Sequence, residues 1–169
     1  VVESWEVELF EDDSANAFAL PGGKMGGYTG LLNVARSPSQ LAAVMGHEVG
    51  HVLARHGNER MSGQMVTQMG MGALTILAGE SSPEQQQLLA LLGVGTELGL
   101  KKFSRTHESE ADRIGLVLMA RAGFDPTEAV VLWQNMSASS GGAAPPEFMS
   151  THPSNVTRIA DLRASMPAA

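Results

Sequence analysis

Cysteine is absent from the 169 residues, which excludes a disulfide framework, a thiolate metal site and a cysteine nucleophile together. Any metal must then be held by His, Asp or Glu. Positive charge is scarce: 11 Lys and Arg stand against 18 Asp and Glu, giving a formal net charge of -7 and a pI near 5.1. No basic field gathers nucleic acid or anionic lipid, so no nucleic-acid partner is expected. Long hydrophobic runs are missing too. The weakly polar stretches Met69 to Ala78 and Leu88 to Leu100 fall short of the roughly 20 residues that cross a bilayer, and Glu97 interrupts the second. No charged segment followed by an apolar one stands at Val1, which fits either a cytosolic protein or the mature part of an exported one. What is present, 43% hydrophobic and 17% charged residues at a mean hydropathy of -0.01, fits one soluble domain over residues 1–169 and fits disorder or a spanning membrane protein poorly.

Periodicity divides the chain into a short β region and a longer helical one. Trp5, Val7 and Leu9 alternate with Glu6 and Glu8, which predicts a half-buried strand. Asn16 to Pro21 and Lys24 to Thr29 flank Gly22-Gly23 and predict an antiparallel hairpin with a tight glycine turn. Ser37 with Gln40 resembles a capping box, Pro38 suits the first helical position and Gly57 a C-terminal stop, so a helix is expected over about 38–56. Residues 58–100 read as two helices broken near Gly79 to Pro83. A helix over about 105–122 should be closed by Gly123, and Asp125-Pro126-Thr127-Glu128 should open another, to about Met136. Gly141 to Pro146 reads as a loop, and a last short helix should start near Ser154 and end before Pro167. The fold class expected is α+β, mainly helical, with a small N-terminal antiparallel sheet.

The chemistry sits in His47-Glu48-Val49-Gly50-His51. Two imidazoles four residues apart share a helix face and can reach one ion, and Glu48 can reach a water on that ion without binding it. A catalytic zinc wants a third protein ligand and an open position. Glu108-Ser109-Glu110-Ala111-Asp112 supplies it: Glu108 and Asp112 share a face, so one carboxylate can bind the metal while the other holds a ligand histidine, and Glu110 points away. An acidic first turn favoured by the helix dipole is the plainer reading of that segment alone; beside the histidine pair the ligand reading is the better one. Gly46 and Gly50 share a face of the same helix, where each costs about 1 kcal/mol relative to Ala, and close backbone approach would explain them.

These pieces, in this order, resemble one family. Asn16 to Gly23, Tyr28 to Leu32, Gly46 to Val52, Ser104-Arg105 ahead of Glu108 to Asp112, and Thr151-His152-Pro153 together resemble the metallopeptidases that include HtpX, the CAAX prenyl endopeptidases and the envelope proteases LoiP and BepA, all gluzincins. The chain is most similar to the LoiP and BepA branch, since it lacks the membrane-spanning helices of the others. The resemblance implies a zincin-like fold, one Zn²⁺ per chain held by His47, His51 and Glu108, Glu48 as general base, and Asp112 supporting a ligand. It also places a histidine near the metal at His152, as a fourth ligand that blocks water at rest, a donor to the developing oxyanion, or a loop residue before Pro153. Arg158 would secure this loop or an acid near the metal, or form an exposed ion pair; His56 and His107 are read as bystanders. By the same resemblance, the strand at Lys24 to Thr29 should pack near the Gly46 and Gly50 face and offer a free edge to an extended peptide. Gly27, where the family has a bulky apolar residue, departs from the pattern.

The function expected is peptide hydrolysis by zinc-activated water, on peptide or misfolded protein substrates, in quality control of the bacterial envelope. The resemblance implies a periplasmic setting, attachment to the outer membrane through a lipid anchor upstream of Val1, and envelope protein partners. Two other classes stay open. A chaperone-like or scaffold protein would use a Met-rich surface at Met61 to Met71 with a structural or latent zinc; a zinc hydrolase of another substrate would share the same ligands.

Overall fold

The computed structural model describes residues 2–78, 87, 104–139, 147–152 and 157–166. The chain divides into two compact units, Val1–Arg55 with His107–Ala169, and His56–Thr106. The first unit carries a three-stranded sheet of β1 (Glu6–Phe10), β2 (Ala17–Leu20) and β3 (Lys24–Tyr28), in the order β1-β3-β2. The hairpin is as expected: β2 and β3 pair antiparallel, Ala17 with Gly27 through Leu20 with Lys24, around Gly22 and Gly23 at φ +97° and +88°. The sheet as a whole is not antiparallel. β1 runs parallel to β3, pairing Glu6 with Lys24 and Phe10 with Tyr28. Nor is β1 half-buried: all five of its residues are exposed, since β1 packs chiefly on β3 while α1 covers β2 at the other edge.

This order corrects the assignment of the peptide edge. β3 is the central strand, bonded on both sides, and has no free edge to offer. Tyr28 N–H donates to Asn16 O at 3.0 Å, so by alternation Phe18 and Leu20 also turn their backbone groups toward β3, while Ala17 and Ala19 turn theirs outward. The strand that packs on the histidine-bearing helix is β2. Gly27 leaves the sheet intact: a Cβ there would meet only Leu9 Cδ1, at 3.8 Å.

That helix, α1, runs Pro38–Leu53. Ser37 Oγ accepts the Gln40 N–H at 3.2 Å, as a cap should, but the Gln40 side chain does not return the bond. Its Oε1 accepts from Arg36 N–H at 2.8 Å, and its Nε2 donates to Glu128 at 2.7 Å. α1 ends before the expected residue 56, because Arg55 adopts φ 60°, and Gly57 falls inside the next helix. The close approach at Gly46 and Gly50 is present, although its partner is a helix and not the strand at Lys24. That helix, α3, covers described residues 104–121. A Cβ on Gly50 would stand 2.8 Å from Ala111 O, and one on Gly115 would stand 2.9 Å from His47 N. The two backbones therefore touch where the site is built.

α3 closes at Gly123, φ +81°, with Phe124 N–H on Met119 O at 3.0 Å. α4 (Glu128–Ser139) extends past the expected Met136. Asp125 accepts the Thr127 N–H at 2.9 Å, while Glu128 serves Ser37 and Gln40 at the start of α1 instead of closing a box. α5 (Glu147–Thr151) was not foreseen, and α6 (Arg158–Ala164) starts later than Ser154. The core of this unit gathers Leu31, Val44, Leu116, Leu132, Trp133, Met136, Phe148 and Leu162. In the second unit α2 spans His56–Ala78 and exposes Met61, Met65 and Met69 along one face. The expected break at Gly79 to Pro83, nearly all of the second helix of 58–100 and the loop at Gly141 to Pro146 lie outside the described residues.

Candidate metal centre

α1 places His47 and His51 one turn apart, with their Nε2 atoms 3.0 Å from each other. α3, held against α1 by the glycine contacts, brings Glu108 to the same point: Oε2 lies 3.2 Å from His47 Nε2 and Oε1 lies 3.3 Å from His51 Nε2. The residue after α5 completes the group. His152 Nδ1 stands 3.2 Å from His47 Nε2 and 3.2 Å from Glu108 Oε2. A tetrahedral ion with bonds of about 2.0 to 2.1 Å separates neighbouring ligand atoms by about 3.3 Å. The separations found fit that figure, and the ligand atoms of His47, His51, Glu108 and His152 all lie within 4.8 Å of one another. Nitrogen and carboxylate donors without sulfur suit Zn²⁺ and other borderline divalent ions.

The remaining predicted residues fall around this group. His47 Nδ1 donates to Asp112 Oδ1 at 2.9 Å, which in the neutral ring selects the tautomer whose Nε2 can bind a metal. Glu48 is 4% exposed. Its carboxylate accepts the Ala19 N–H from β2, and its Oε1 lies 3.2 Å from His152 Nε2. Phe148 stacks on His152, with ring centroids 4.6 Å apart and planes at 25°, and meets His47 edge-on at 5.9 Å. Arg158, first residue of α6, is buried among these groups and not at the surface. Sequence reasoning gave Phe148 no role and left Arg158 open between two; neither belongs to a periodic or spaced pattern. His107 is buried in α3 without entering the group, and Glu110 is exposed.

Burial and partners divide the titrations. Burial opposes the charged form of His47, but hydrogen bonds to Asp112 and Glu108 outweigh it and raise its pKa to about 9. His51, where burial prevails over Glu108, is lowered to about 4. Burial raises Glu48 above the usual carboxylate range, against the pull of His152 and His47. Glu108 is buried as well, yet bonds from His152, His47 and His51 hold it far below that range. Asp112 is lowered likewise, by His47 and Arg158 acting against burial. A carboxylate biased toward taking up a proton thus stands beside one biased toward staying ionised.

Residues 2–166 match the model of Peptidase family M48. The chain belongs to that family. It is 39% identical over 167 residues to the mitochondrial metalloendopeptidase OMA1 of Schizosaccharomyces pombe, covering 98% of this chain and 48% of that protein. It is 37% identical over 161 residues to the β-barrel assembly-enhancing protease of Escherichia coli, covering 92% and 33%. Against human OMA1 it is 32% identical over 174 residues, covering 98% and 33%. The chain therefore spans a third to about half of the length of these relatives. Membership of a metallopeptidase family implies a metal, and the group at His47, His51, Glu108 and His152 has the donor chemistry for one. No described helix is long and apolar enough to cross a membrane.

Proposed function

We propose that the chain is a single metallopeptidase domain that binds one Zn²⁺ through His47, His51 and Glu108 and hydrolyses peptide bonds internally in protein substrates. The observation that carries this reading is the meeting of three donors, far apart in sequence, beside a buried carboxylate whose pKa is raised. A zinc ion in such a site supplies Lewis acidity, lowering the pKa of bound water toward about 7 and polarising a carbonyl. Glu48 takes the proton from the attacking water and delivers it to the leaving amine. Asp112 keeps the His47 ring in register throughout. The outer edge of β2 would align the substrate: Ala17 and Ala19 turn outward there, with the Ala17 N–H on Asn16 Oδ1 at 2.9 Å and the Ala19 N–H on Glu48, and an extended peptide that displaced these bonds would lie against the general base.

His152 favours a second reading of the same site. With Nδ1 3.2 Å from His47 Nε2 and Nε2 3.2 Å from Glu48 Oε1, it would compete with a water for a bound zinc, as in a latent or purely structural zinc site of a chaperone-like protein. The exposed methionines of α2 would suit such a role. Similarity to the β-barrel assembly-enhancing protease supports a bacterial envelope setting with misfolded or assembling proteins as substrates. Relatives named as mitochondrial point to another compartment, and cell fractionation decides between them.

The test is metal analysis of the purified chain with casein cleavage, run with and without a chelator and in Glu48→Gln. The proposal expects about one zinc per chain, cleavage abolished by chelator, and a Glu48→Gln variant that keeps zinc but loses about 10² to 10⁴ in rate. Zinc without cleavage would favour the structural reading. Undiminished turnover in Glu48→Gln would refute the general base.

A further inference from the structure

Arg158 takes no part in the steps above, yet it is 4% exposed and engages the site from behind. Its Nη2 donates to Asp112 Oδ1 at 2.7 Å and its Nη1 to Glu108 Oε2 at 3.2 Å. The guanidinium carbon lies 3.8 Å from the centre of the Trp133 ring, and Nε is buried without a hydrogen-bond partner. Nη2 also comes within 3.3 Å of His47 Nδ1. Both atoms are donors once Nδ1–H is given to Asp112, so the two converge on Oδ1 and not on each other.

We propose that Arg158 is a positioning residue of the metal centre: one guanidinium, bonded at once to Glu108 and Asp112, sets the ligand carboxylate and the orientation of His47 together. The proposal rests on the reading of this site as a metal centre. Glu108 and Asp112 are one turn apart on α3, so two buried anions repel each other across a low-dielectric gap unless a cation lies between them. A planar fork of N–H groups meets both carboxylates with separate bonds, Nη1 also reaches His152 O at 3.5 Å, and the flat face rests on Trp133. An ammonium group is a point charge and would satisfy one carboxylate without the stacking. Oδ1 of Asp112, held by Nη2, cannot turn away from His47 Nδ1, and His47 Nε2 stays aimed at the ligand cluster. Contact with the Nδ1 side of His47 places Arg158 behind the ring, where it acts through other residues.

The measurement is zinc affinity by competition with a chromophoric chelator, on the full chain, for wild type, Arg158→Lys and Arg158→Met, with thermal unfolding of each zinc-free protein as the control for folding. Loss of a group that orients ligands costs about 10- to 100-fold in metal affinity. Arg158→Lys is expected near the lower figure and Arg158→Met near the upper. Equal affinities in all three, with a wild type that binds zinc, would overturn the positioning role, and a wild type that binds no zinc would overturn the metal reading beneath it. Should Arg158→Met not fold, a cycle of Arg158→Lys with Asp112→Asn decides instead. Both act through one bond, so Asp112→Asn should weaken zinc binding less in the Lys background than in wild type; equal losses in both backgrounds would overturn the proposal.

Discussion

Two very different supports present imidazoles to the same point. His47 and His51 stand on α1, a 16-residue helix pressed backbone to backbone against α3 through Gly46, Gly50 and Gly115. His152 follows α5, five residues long, and is placed by the Phe148 ring and by the bond from Phe148 N–H to Ala15 O at 3.1 Å. The first support fixes its side chains through main-chain contacts that leave no room for adjustment, the second through one ring and one turn. His47 and His51 are thus held by two packed main chains, and His152 by a side-chain stack and a single short helix.

The largest expected effect comes from the firm side. His47→Ala should leave no zinc on the purified protein by metal analysis and no chelator-sensitive cleavage, because it removes a donor and the Asp112 bond together. His152→Ala should keep zinc, with an affinity lowered by about tenfold, within the range for a group that supports a metal site. A loss as complete as that of His47→Ala would erase the contrast between the supports. Gly50→Ala then probes the contact itself: a methyl 2.8 Å from Ala111 O forces the helices apart and should cost about 1 to 3 kcal/mol in denaturant unfolding. Gly70→Ala, inside α2 with nothing within 4 Å, should instead stabilise by about 0.5 to 1 kcal/mol. If both glycines respond alike, the backbone contact has no special weight.

A pH dependence separates the two histidines of α1. In metal-free protein the His47 pKa is raised from 6.5 to about 9, so its contribution to stability is present below pH 6.5 and lost as pH rises through 9. His51 is lowered from 6.5 to about 4, so its contribution is present above pH 6.5 and lost as pH falls through 4. Thermal unfolding of the zinc-free protein should therefore be highest near pH 6.5 and decline on both sides. A midpoint that climbs steadily from pH 6.5 to 9 would contradict the sign for His47.

What could be read from the sequence was what local spacing carries. The Ser37-Pro38 start of α1, the four-residue interval of His47 and His51, the pairing of Glu108 with Asp112 and the Gly123 stop all concern residues within one or two turns, where geometry follows from helical period. The glycines announced a close approach, but not that α3 makes it. Strand order could not be read: alternation in Trp5, Val7 and Leu9 signals a strand and says nothing of whether it runs parallel or lies at an edge. α5 is too short to show a period. Arg158 looked like any surface arginine because its burial depends on Trp133, 25 positions away along the chain, and on two acids from α3. The end of α1 was misjudged for a different reason, since a left-handed Arg55 is an uncommon choice that no residue preference signals.

The intimacy of α1 and α3 also bears on how substitution tolerance would read in this chain. In a saturation survey scored by survival or turnover, Gly50 and Gly115 would look as indispensable as the histidines, although neither would meet a substrate or an ion. Scoring soluble yield alongside metal content would separate the two kinds of constraint, and would show that part of what looks like chemistry here is room for two main chains to pass.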